Sequence, residues 1–327
     1  MRSTEAFEAF YQSQLKDSLE QLDQVRKTIL KYGLGFVAVL GVSILLAFGI
    51  ISYFQPNQSG MILIVVSTVL VFVAGLIYVN SKTSELNYKT TFKKEIIHPI
   101  VHFISEELTY YPKQKISQNQ FKKSRLFLSR IDRYKGDDYV TGQIDQTVFE
   151  FSELNVQYKS SSTDSKGNRK TKWVTVFKGL FFTADFNKDF EGSTVLLPNY
   201  LGSGFKFFKK IAGVSRVEKY VQLEDPTFSK NFNCYSTNDI KARYILSPAL
   251  MQRITAFKNK YPKNPVSIAF VDGRIYVAIS YSKDLFEPTY FKSLVCKDLV
   301  QTYFEDVKFV VDLVEELNLN TRIWSKK

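Results

Sequence analysis

The chain has 327 residues, of which 45% are hydrophobic and 23% charged; this length allows a membrane segment beside one or two globular domains. Glycine (15 residues) and proline (9) are sparse, which excludes a fibrous or fully disordered chain. The formal net charge is +12. Residues 1–33 carry five basic and five acidic side chains and residues 34–81 carry none, so the whole excess belongs to residues 82–327.

The first predicted element is a cytoplasmic amphipathic helix within residues 1–33. Apolar side chains recur close to a 3.6-residue period from Phe7 to Ile29, with acids and bases between them. Two interpretations stay open. The pattern favours a helix packed on the chain's own cytoplasmic domain or paired in a short coiled coil, and the alternative is a helix that binds a partner.

Two transmembrane helices are predicted next, at 34–54 and 61–79. Both stretches lack any charged side chain, and about 20 residues at about 1.5 Å rise per residue span the roughly 30 Å of a hydrocarbon core. Only the polar turn 55–60 separates them. The sequence therefore predicts an antiparallel membrane hairpin, with lipid as an integral partner.

Basic residues flank both predicted spans, whereas the turn carries none. The positive-inside rule then places both termini in the cytoplasm and the turn outside, as in a multi-pass protein of the cell's inner (plasma) membrane. Neither span holds an Asp, Glu, Lys, Arg or His, the usual mark of a transport path. This pattern favours an anchor over the alternative of an oligomeric pore. The flanking residues are Arg26, Lys27, Lys31, Lys82, Lys89, Lys93 and Lys94.

Residues 80–111 are predicted to form a juxtamembrane helix that contains the two histidines, His98 and His102. Histidines four apart on a helix can hold zinc with further ligands. However, Pro99 disfavours helix at His98, so no metal site is predicted. The cysteines, Cys234 and Cys296, match no metal or redox spacing and are expected to be free thiols in a reducing compartment. No cofactor is predicted.

Residues 112–327 are predicted to form a cytoplasmic α+β domain with a mainly antiparallel sheet, or two subdomains divided near 224–231. Short runs of β-branched and aromatic residues bounded by turn residues predict strands. These strands are expected at 139–144, 148–158, 173–185, 193–197, 217–223, 232–235, 266–271 and 274–280.

In the last third of the chain, turn and cap signals predict where helices and strands begin and end. Ser247 and Pro248 predict the start of a helix that ends near Tyr261. Asp272 and Gly273, between two apolar runs, are a strong hairpin signal. A long C-terminal helix is expected from Pro288 to Leu317.

Two basic segments are candidate contacts for a membrane surface or a partner. One is the tip of a long predicted hairpin, and the other interleaves phenylalanines with lysines, a pattern that suits anionic headgroups. A short helix with its phenylalanines in the core is the favoured interpretation of the second segment. Membrane tethering makes nucleic acid a disfavoured partner. The candidate residues are Lys166, Arg169, Lys170 and Lys172, and Phe205, Lys206, Phe207, Phe208, Lys209 and Lys210.

The sequence contains no recognisable catalytic motif. It lacks a P-loop, a Rossmann fingerprint, a nucleophile elbow and a zinc-protease motif. A membrane-anchored, non-catalytic binding or scaffolding module is therefore the leading hypothesis, and the oligomeric state is left open. The alternative is an enzyme that acts on a membrane-proximal substrate through a carboxylate dyad or a Mg²⁺ site. Its candidate residues are Asp137, Asp138, Asp145, Glu150 and Glu153.

A set of short motifs resembles the bacterial membrane proteins grouped as domain of unknown function 3137 (DUF3137). They follow the two-span hairpin in a fixed order: TVFKGLFF at 175–182, LEDPTF at 223–228, FNCYS at 232–236, ARYILSPA at 242–249, FVDGRIYVA at 270–278 and LFEP at 285–288. The resemblance covers nearly the whole chain and implies the same topology. It implies no activity and no catalytic residues. It also implies a membrane system shared with LemA-type proteins, which are therefore a candidate partner.

Overall fold

The computed structural model describes residues 4–54, 57–85, 87–163, 169–186, 188–199, 216–260, 262–317 and 319. The chain divides into two compact units. The first, here called the helical unit, consists of residues 2–99 and 287–302. The second, the sheet unit, consists mainly of residues 100–286 and 303–327.

The helical unit is built from long helices at the N-terminal end of the chain. A single π-helical turn, Tyr11–Leu15, joins the first two helices, and a second, Lys93–Ile97, joins the last two. The α-helices are α1 (Thr4–Phe10), α2 (Lys16–Phe54), α3 (Gln58–Glu85), α4 (Tyr88–Phe92) and the start of α5 (His98–Ile104), whose residues from Ile100 onward belong to the sheet unit.

Two of these helices, α2 and α3, are long and apolar enough to cross a membrane, and no residue in the most apolar window of either helix is buried. They pack antiparallel, because Tyr32 meets Tyr78 at 6.2 Å and Phe36 meets Phe72 at 5.8 Å between ring centroids. A Cβ at Gly75 would overlap the Phe36 ring, so glycine allows this close approach. Helix α3 begins within the expected turn 55–60.

The N-terminal amphipathic helix packs on a late segment of the same chain. Its apolar residues from Phe7 to Leu22 are buried, and the Tyr11 hydroxyl donates to the Val295 carbonyl at 3.2 Å. Farther along, the Arg26 Nη1 donates to the Tyr290 carbonyl at 3.0 Å. These contacts support the interpretation that the helix packs on its own chain.

The C-terminal helix, α10 (Lys297–Glu316), begins later than the expected Pro288. The reason is that residues 287–296 bond to the rest of the helical unit. The Leu294 N–H donates to Asp23 Oδ1 at 3.0 Å, and Glu287 pairs with Lys89 at 2.7 Å. A backbone N–H used in this way is not available to a helical ladder.

The expectation that Pro99 breaks the helix at His98 is wrong. Both His98 and His102 lie in α5, and His98 has helical angles (φ −58°, ψ −48°). The π turn before it, whose wider hydrogen bond runs from the His98 N–H to the Lys93 carbonyl, locally changes the ladder near the proline, and such turns can relieve its constraint. Both histidines are exposed.

The sheet unit contains a nine-stranded antiparallel sheet, which confirms the α+β class. Its strand order is β1-β2-β3-β4-β9-β8-β5-β7-β6. Strand β5 pairs with both β7 and β8, so strands before and after residues 224–231 belong to one sheet. The strands are β1 (Thr109–Tyr111), β2 (Arg133–Ile144), β3 (Thr147–Thr163), β4 (Arg169–Asp185), β5 (Ser193–Pro198), β6 (Lys219–Val221), β7 (Phe232–Ser236), β8 (Val266–Val271) and β9 (Arg274–Ser280).

Strand β1 lies where the end of the juxtamembrane helix was expected. Two adjacent tyrosines favour extended backbone, and the strand pairs with β2, which is distant in sequence. The β8–β9 hairpin turns as expected at Asp272 (φ 45°) and Gly273 (φ 75°), the left-handed pair of a type I′ turn.

Aromatic side chains pack on both faces of the sheet unit. On one face, Phe121 lies 5.0 Å from Phe181. Elsewhere Phe257 stacks on Phe309 at 5.4 Å, and β8 is buried at every position. Strand β8 is therefore an interior element, in keeping with its continuous run of small and apolar residues. The helices of this unit before α10 are α6 (Gln118–Lys123), α7 (Pro226–Asn231), α8 (Asp239–Ile245) and α9 (Pro248–Lys260).

Candidate functional site

The far ends of β3 and β4 form a two-stranded projection, here called the basic arm (residues 157–163 and 169–175). Its strands pair in register from Gln157↔Thr175 to Thr163↔Arg169. Strand β2 reaches only as far as Gln157, and β9 starts pairing at Gly179. In the described part of the chain, the arm beyond Gln157 therefore has no third strand.

The basic arm carries cations and no acid. Lys159, Arg169, Lys170 and Lys172 are all exposed. Because side chains alternate between the two faces of a strand, extended strands of serine, threonine and lysine have polar side chains on both faces and no apolar face to bury. The structure thus brings three of the sequence-predicted contact residues onto one strand. Lys166 lies outside the described residues, as does the whole segment 205–210.

An aromatic side chain at the base of the arm was not singled out from the sequence. Trp173 is 42% exposed, and the Arg133 guanidinium lies 3.9 Å from its ring centroid, a cation–π contact. The sequence signal was a tryptophan directly after a basic run, but the arginine comes from a distant strand. Trp173 gives the arm an amphipathic ring beside its charges.

Three of the five candidate carboxylates also come together, in an acidic cluster of Asp137, Asp138 and Glu153. Their ligand atoms lie within 4.8 Å of one another. Asp137 is the register partner of Glu153, and the sheet register shifts between Asp137 and Val140. Asp138 occupies this bulge with a left-handed φ of 55°. Such a bulge re-aims side chains; Asp145 and Glu150 are not in the cluster.

The cluster is buried and hydrogen-bonded. The Tyr110 hydroxyl donates to Asp138 Oδ1, and the Leu285 N–H donates to Glu153 Oε1 at 2.5 Å. Burial, with the Asp138 charge adding to it, raises the pKa of Glu153 to about 8. Glu153 therefore keeps a proton near neutral pH, as a general acid does. The oxygens of this cluster suit a hard divalent cation such as Mg²⁺.

Neither histidine joins a metal-binding group among the described residues, because the acidic cluster is the one such group found there. Cys234 is buried and Cys296 is exposed, and both are free thiols. Burial raises the pKa of Cys234 to about 12, so this thiol is not a reactive nucleophile.

Comparison with known proteins gives a family but no activity. No curated protein and no solved structure matches the chain. Residues 175–319 match the family described as "Protein of unknown function (DUF3137)". The match includes β4 to β9 and α10, but neither long apolar helix. This match over residues 175–319 supports the resemblance to the DUF3137 family that the motifs of the sequence indicated.

Proposed function

We propose that the protein is a membrane-anchored, non-catalytic binding module whose basic arm docks on anionic lipid headgroups at the cytoplasmic surface. The observation that carries this proposal is the arm itself, a projecting ribbon with four exposed cations and no acid. A ribbon of this composition buries few side chains, so its cations stay exposed where an external surface can meet them.

The energetics favour a lipid surface with negative charge. Each lysine or arginine near an anionic membrane contributes about 1 kcal/mol, so the four cations of the arm contribute about 4 kcal/mol together. Trp173 adds an aromatic ring of the kind that partitions to the headgroup level. The attraction of the cations acts over short range in physiological salt, because the Debye length is about 8 Å.

The anchor fixes the orientation in this proposal. Helices α2 and α3 cross the inner membrane with both termini in the cytoplasm, since basic residues flank the hairpin on that side alone. The hairpin is an anchor and not a pore in this proposal, because residues 34–81 contain no Asp, Glu, Lys, Arg or His. A LemA-type membrane protein is a candidate protein partner through the family resemblance.

The experiment uses the full chain, embedded in phosphatidylcholine nanodiscs and mixed with vesicles of phosphatidylcholine alone or with phosphatidylglycerol. We expect the protein to float with the anionic vesicles only, and less so as salt rises. The variant R169Q/K170Q/K172Q should bind about 100-fold more weakly, since three charges are lost.

A matched control distinguishes binding by the arm from a general effect of net charge. The variant K113Q/K122Q/K123Q also removes three exposed lysine charges, but outside the arm, and should bind like the unmodified protein. An equal loss of vesicle binding in both variants would show that the overall charge of the protein, and not the arm, determines binding. Binding to neutral vesicles, or none to anionic ones, would contradict the proposal.

A second candidate function is an enzyme that acts on a membrane-proximal substrate through carboxylates. The observation in its favour is the convergence of Asp137, Asp138 and Glu153. Its test is a thermal unfolding titration of the full chain with Mg²⁺, Mn²⁺ or Ca²⁺. A saturable stabilisation that the variant D137N loses would support this candidate, and the absence of any stabilisation would remove its metal-dependent form.

A further inference from the structure

The sheet unit contains a cavity of about 250 Å³ that lies apart from the arm and from the acidic cluster. Three separate elements and one connection form its wall: the end of β5, the ends of α7 and α9, and residues 262–265 between α9 and β8. A wall drawn from distant parts of the chain is set by the fold of the whole sheet unit.

The cavity lining is basic and contains no acid. Lys230, Lys258 and Lys263 line it together with four asparagines and three prolines. Neither Lys230 nor Lys263 makes an ion pair with any residue that the structure describes. Lysines in proteins of ordinary composition commonly face carboxylates, so three ammonium groups around one concavity form a local excess of positive charge.

Lys258 is fixed in place at the cavity wall. Its ammonium donates to the carbonyls of Pro262 and Asn264, both at 3.0 Å. Burial lowers the pKa of this lysine. A negatively charged ligand beside it would act in the opposite direction and favour the charged ammonium form. The same hydrogen bonds hold the connection after α9 in the shape that closes one side of the cavity.

The asparagines add hydrogen-bond acceptors. The side-chain amides of Asn231 and Asn264 donate to the backbone carbonyls of Thr227 (3.3 Å) and Ser280 (2.9 Å). This orientation leaves their amide oxygens to accept hydrogen bonds from a ligand. The lining therefore offers ammonium donors for an anion and oxygen acceptors for hydroxyl groups.

We infer that this cavity is a binding site for a small phosphorylated polyol, such as a glycerol phosphate group. The phosphate would lie among Lys230, Lys258 and Lys263, and the hydroxyls would face the asparagines. The volume lies below the roughly 300–1,000 Å³ of sites for drug-sized ligands, which suits such a group and excludes a nucleotide. The same chemistry occurs in a soluble metabolite and in a phospholipid headgroup.

The inference is independent of the proposed function and is tested on the full chain in phosphatidylcholine nanodiscs. Glycerol phosphate and inorganic phosphate are titrated by isothermal calorimetry, with sodium chloride of equal ionic strength as the reference. We expect saturable binding of glycerol phosphate, weaker binding of phosphate, and none of chloride. The variant K230Q/K263Q should lose about 100-fold in affinity, because it removes two charged hydrogen-bond donors.

The matched variant K122Q/K123Q removes two exposed lysine charges from α6 and should leave the affinity for glycerol phosphate unchanged. Nanodiscs that contain phosphatidylglycerol identify the source of the ligand. Competition by that lipid assigns the site to a headgroup, and undiminished binding assigns it to a soluble ligand. The inference is overturned if glycerol phosphate does not bind, or if both double variants weaken binding equally.

Discussion

At the scale of single residues, two buried carboxylates show opposite solutions to the cost of burying charge. Burial raises the pKa of Glu153 to about 8, so this side chain avoids the cost by keeping its proton. Burial also opposes ionisation of Asp23, but hydrogen bonds from Arg26, Leu294 and Ser293 outweigh it and hold the pKa of Asp23 below its usual range. Glu153 is therefore a candidate site for chemistry. The hydrogen bonds that join Asp23 to Arg26, Ser293 and Leu294 have a structural role and are here called the Asp23 clasp.

The protonated state of Glu153 predicts a pH-dependent stability. Folded Glu153 keeps its proton up to a pKa of about 8, whereas in the unfolded chain the same group loses its proton near the ordinary glutamate pKa of 4.5. Stability therefore falls as pH rises from about 5 to 8, by up to about 1.4 kcal/mol per pH unit. We expect the variant E153Q to flatten this dependence, measured as the thermal unfolding midpoint of the full chain.

Two comparisons make this prediction specific. The variant E191Q changes an exposed acid and should keep the pH dependence. Burial also raises the pKa of Asp306, to about 7, so D306N should flatten the dependence over an overlapping window that begins and ends at lower pH, from about 4 to 7. An unchanged slope in E153Q would show that Glu153 is ionised in the folded protein.

The Asp23 clasp predicts a local loosening. Asp23 is buried and accepts hydrogen bonds from Arg26 at 2.7 Å and from the Leu294 N–H at 3.0 Å. Removing one partner of a buried pair costs about 3 kcal/mol, so in D23A the amides of 290–296 should exchange hydrogen about 100-fold faster. Hydrogen exchange with mass spectrometry measures this. The exposed Asp17 on the same helix gives the control D17A, and equal exchange in both variants would contradict the clasp.

At the scale of elements, one glycine sets the pairing of β4 with β9. Gly179 has φ 146° and lies opposite Ser280. A Cβ there would overlap the Ile279 carbonyl and lie 2.8 Å from the Tyr281 nitrogen. We expect G179A to destabilise the sheet unit by about 2 kcal/mol or more, seen as a lower unfolding midpoint.

The control for this prediction is G33A, since a Cβ at Gly33 meets nothing within 4 Å. It should leave the midpoint unchanged or raise it slightly. A midpoint for G179A equal to that of the unmodified protein would mean that β4 and β9 are not paired as described.

Local patterns predicted most elements, and distant contacts account for the rest. Uncharged runs of about 20 residues define α2 and α3 through their length and composition, and Asp272-Gly273 defines its hairpin through local backbone preference. The late start of α10 follows from Asp23, which lies far away in sequence. Helix at Pro99 depends on the π turn before it, for which the sequence carries no signal.

The candidate site likewise has one part that local sequence predicts and another that depends on contacts between distant residues. The cations of the arm could be predicted because a polar hairpin tip is a local pattern. The acidic cluster could be predicted only as separate residues, since its assembly needs the bulge at Asp138 and its pairing opposite Glu153. Tyr110 and the lysines of the cavity come from elements whose proximity only the fold determines.

At the scale of the whole molecule, the division into units cuts across the expected domain order. Residues 287–302 belong with residues 2–99. A fragment that begins at residue 82 would therefore remove α2 and the N-terminal helix from the residues that pack on them. Binding experiments consequently need the full chain in a lipid environment.

The proposed orientation of the hairpin predicts a labelling pattern for the two native cysteines and one added cysteine. Cys296 is exposed and Cys234 is buried. In sealed right-side-out membrane vesicles, an impermeant thiol reagent should label the variant N57C in the connecting turn but not Cys296. Inverted vesicles should show the reverse. Labelling of Cys296 from the outside would contradict the cytoplasmic location of the C-terminal region.

The most direct test of headgroup docking by the basic arm is lipid quenching of Trp173. The chain has two tryptophans, so the full-length variant W324F leaves Trp173 as the one fluorescent indole. Vesicles of brominated phosphatidylcholine with phosphatidylglycerol are added at low salt and then at about 1 M salt, where the Debye length falls to about 3 Å. We predict strong quenching that salt reverses, and none with brominated phosphatidylcholine alone. Unquenched Trp173 with anionic vesicles, or equal quenching with neutral ones, would contradict the proposed docking.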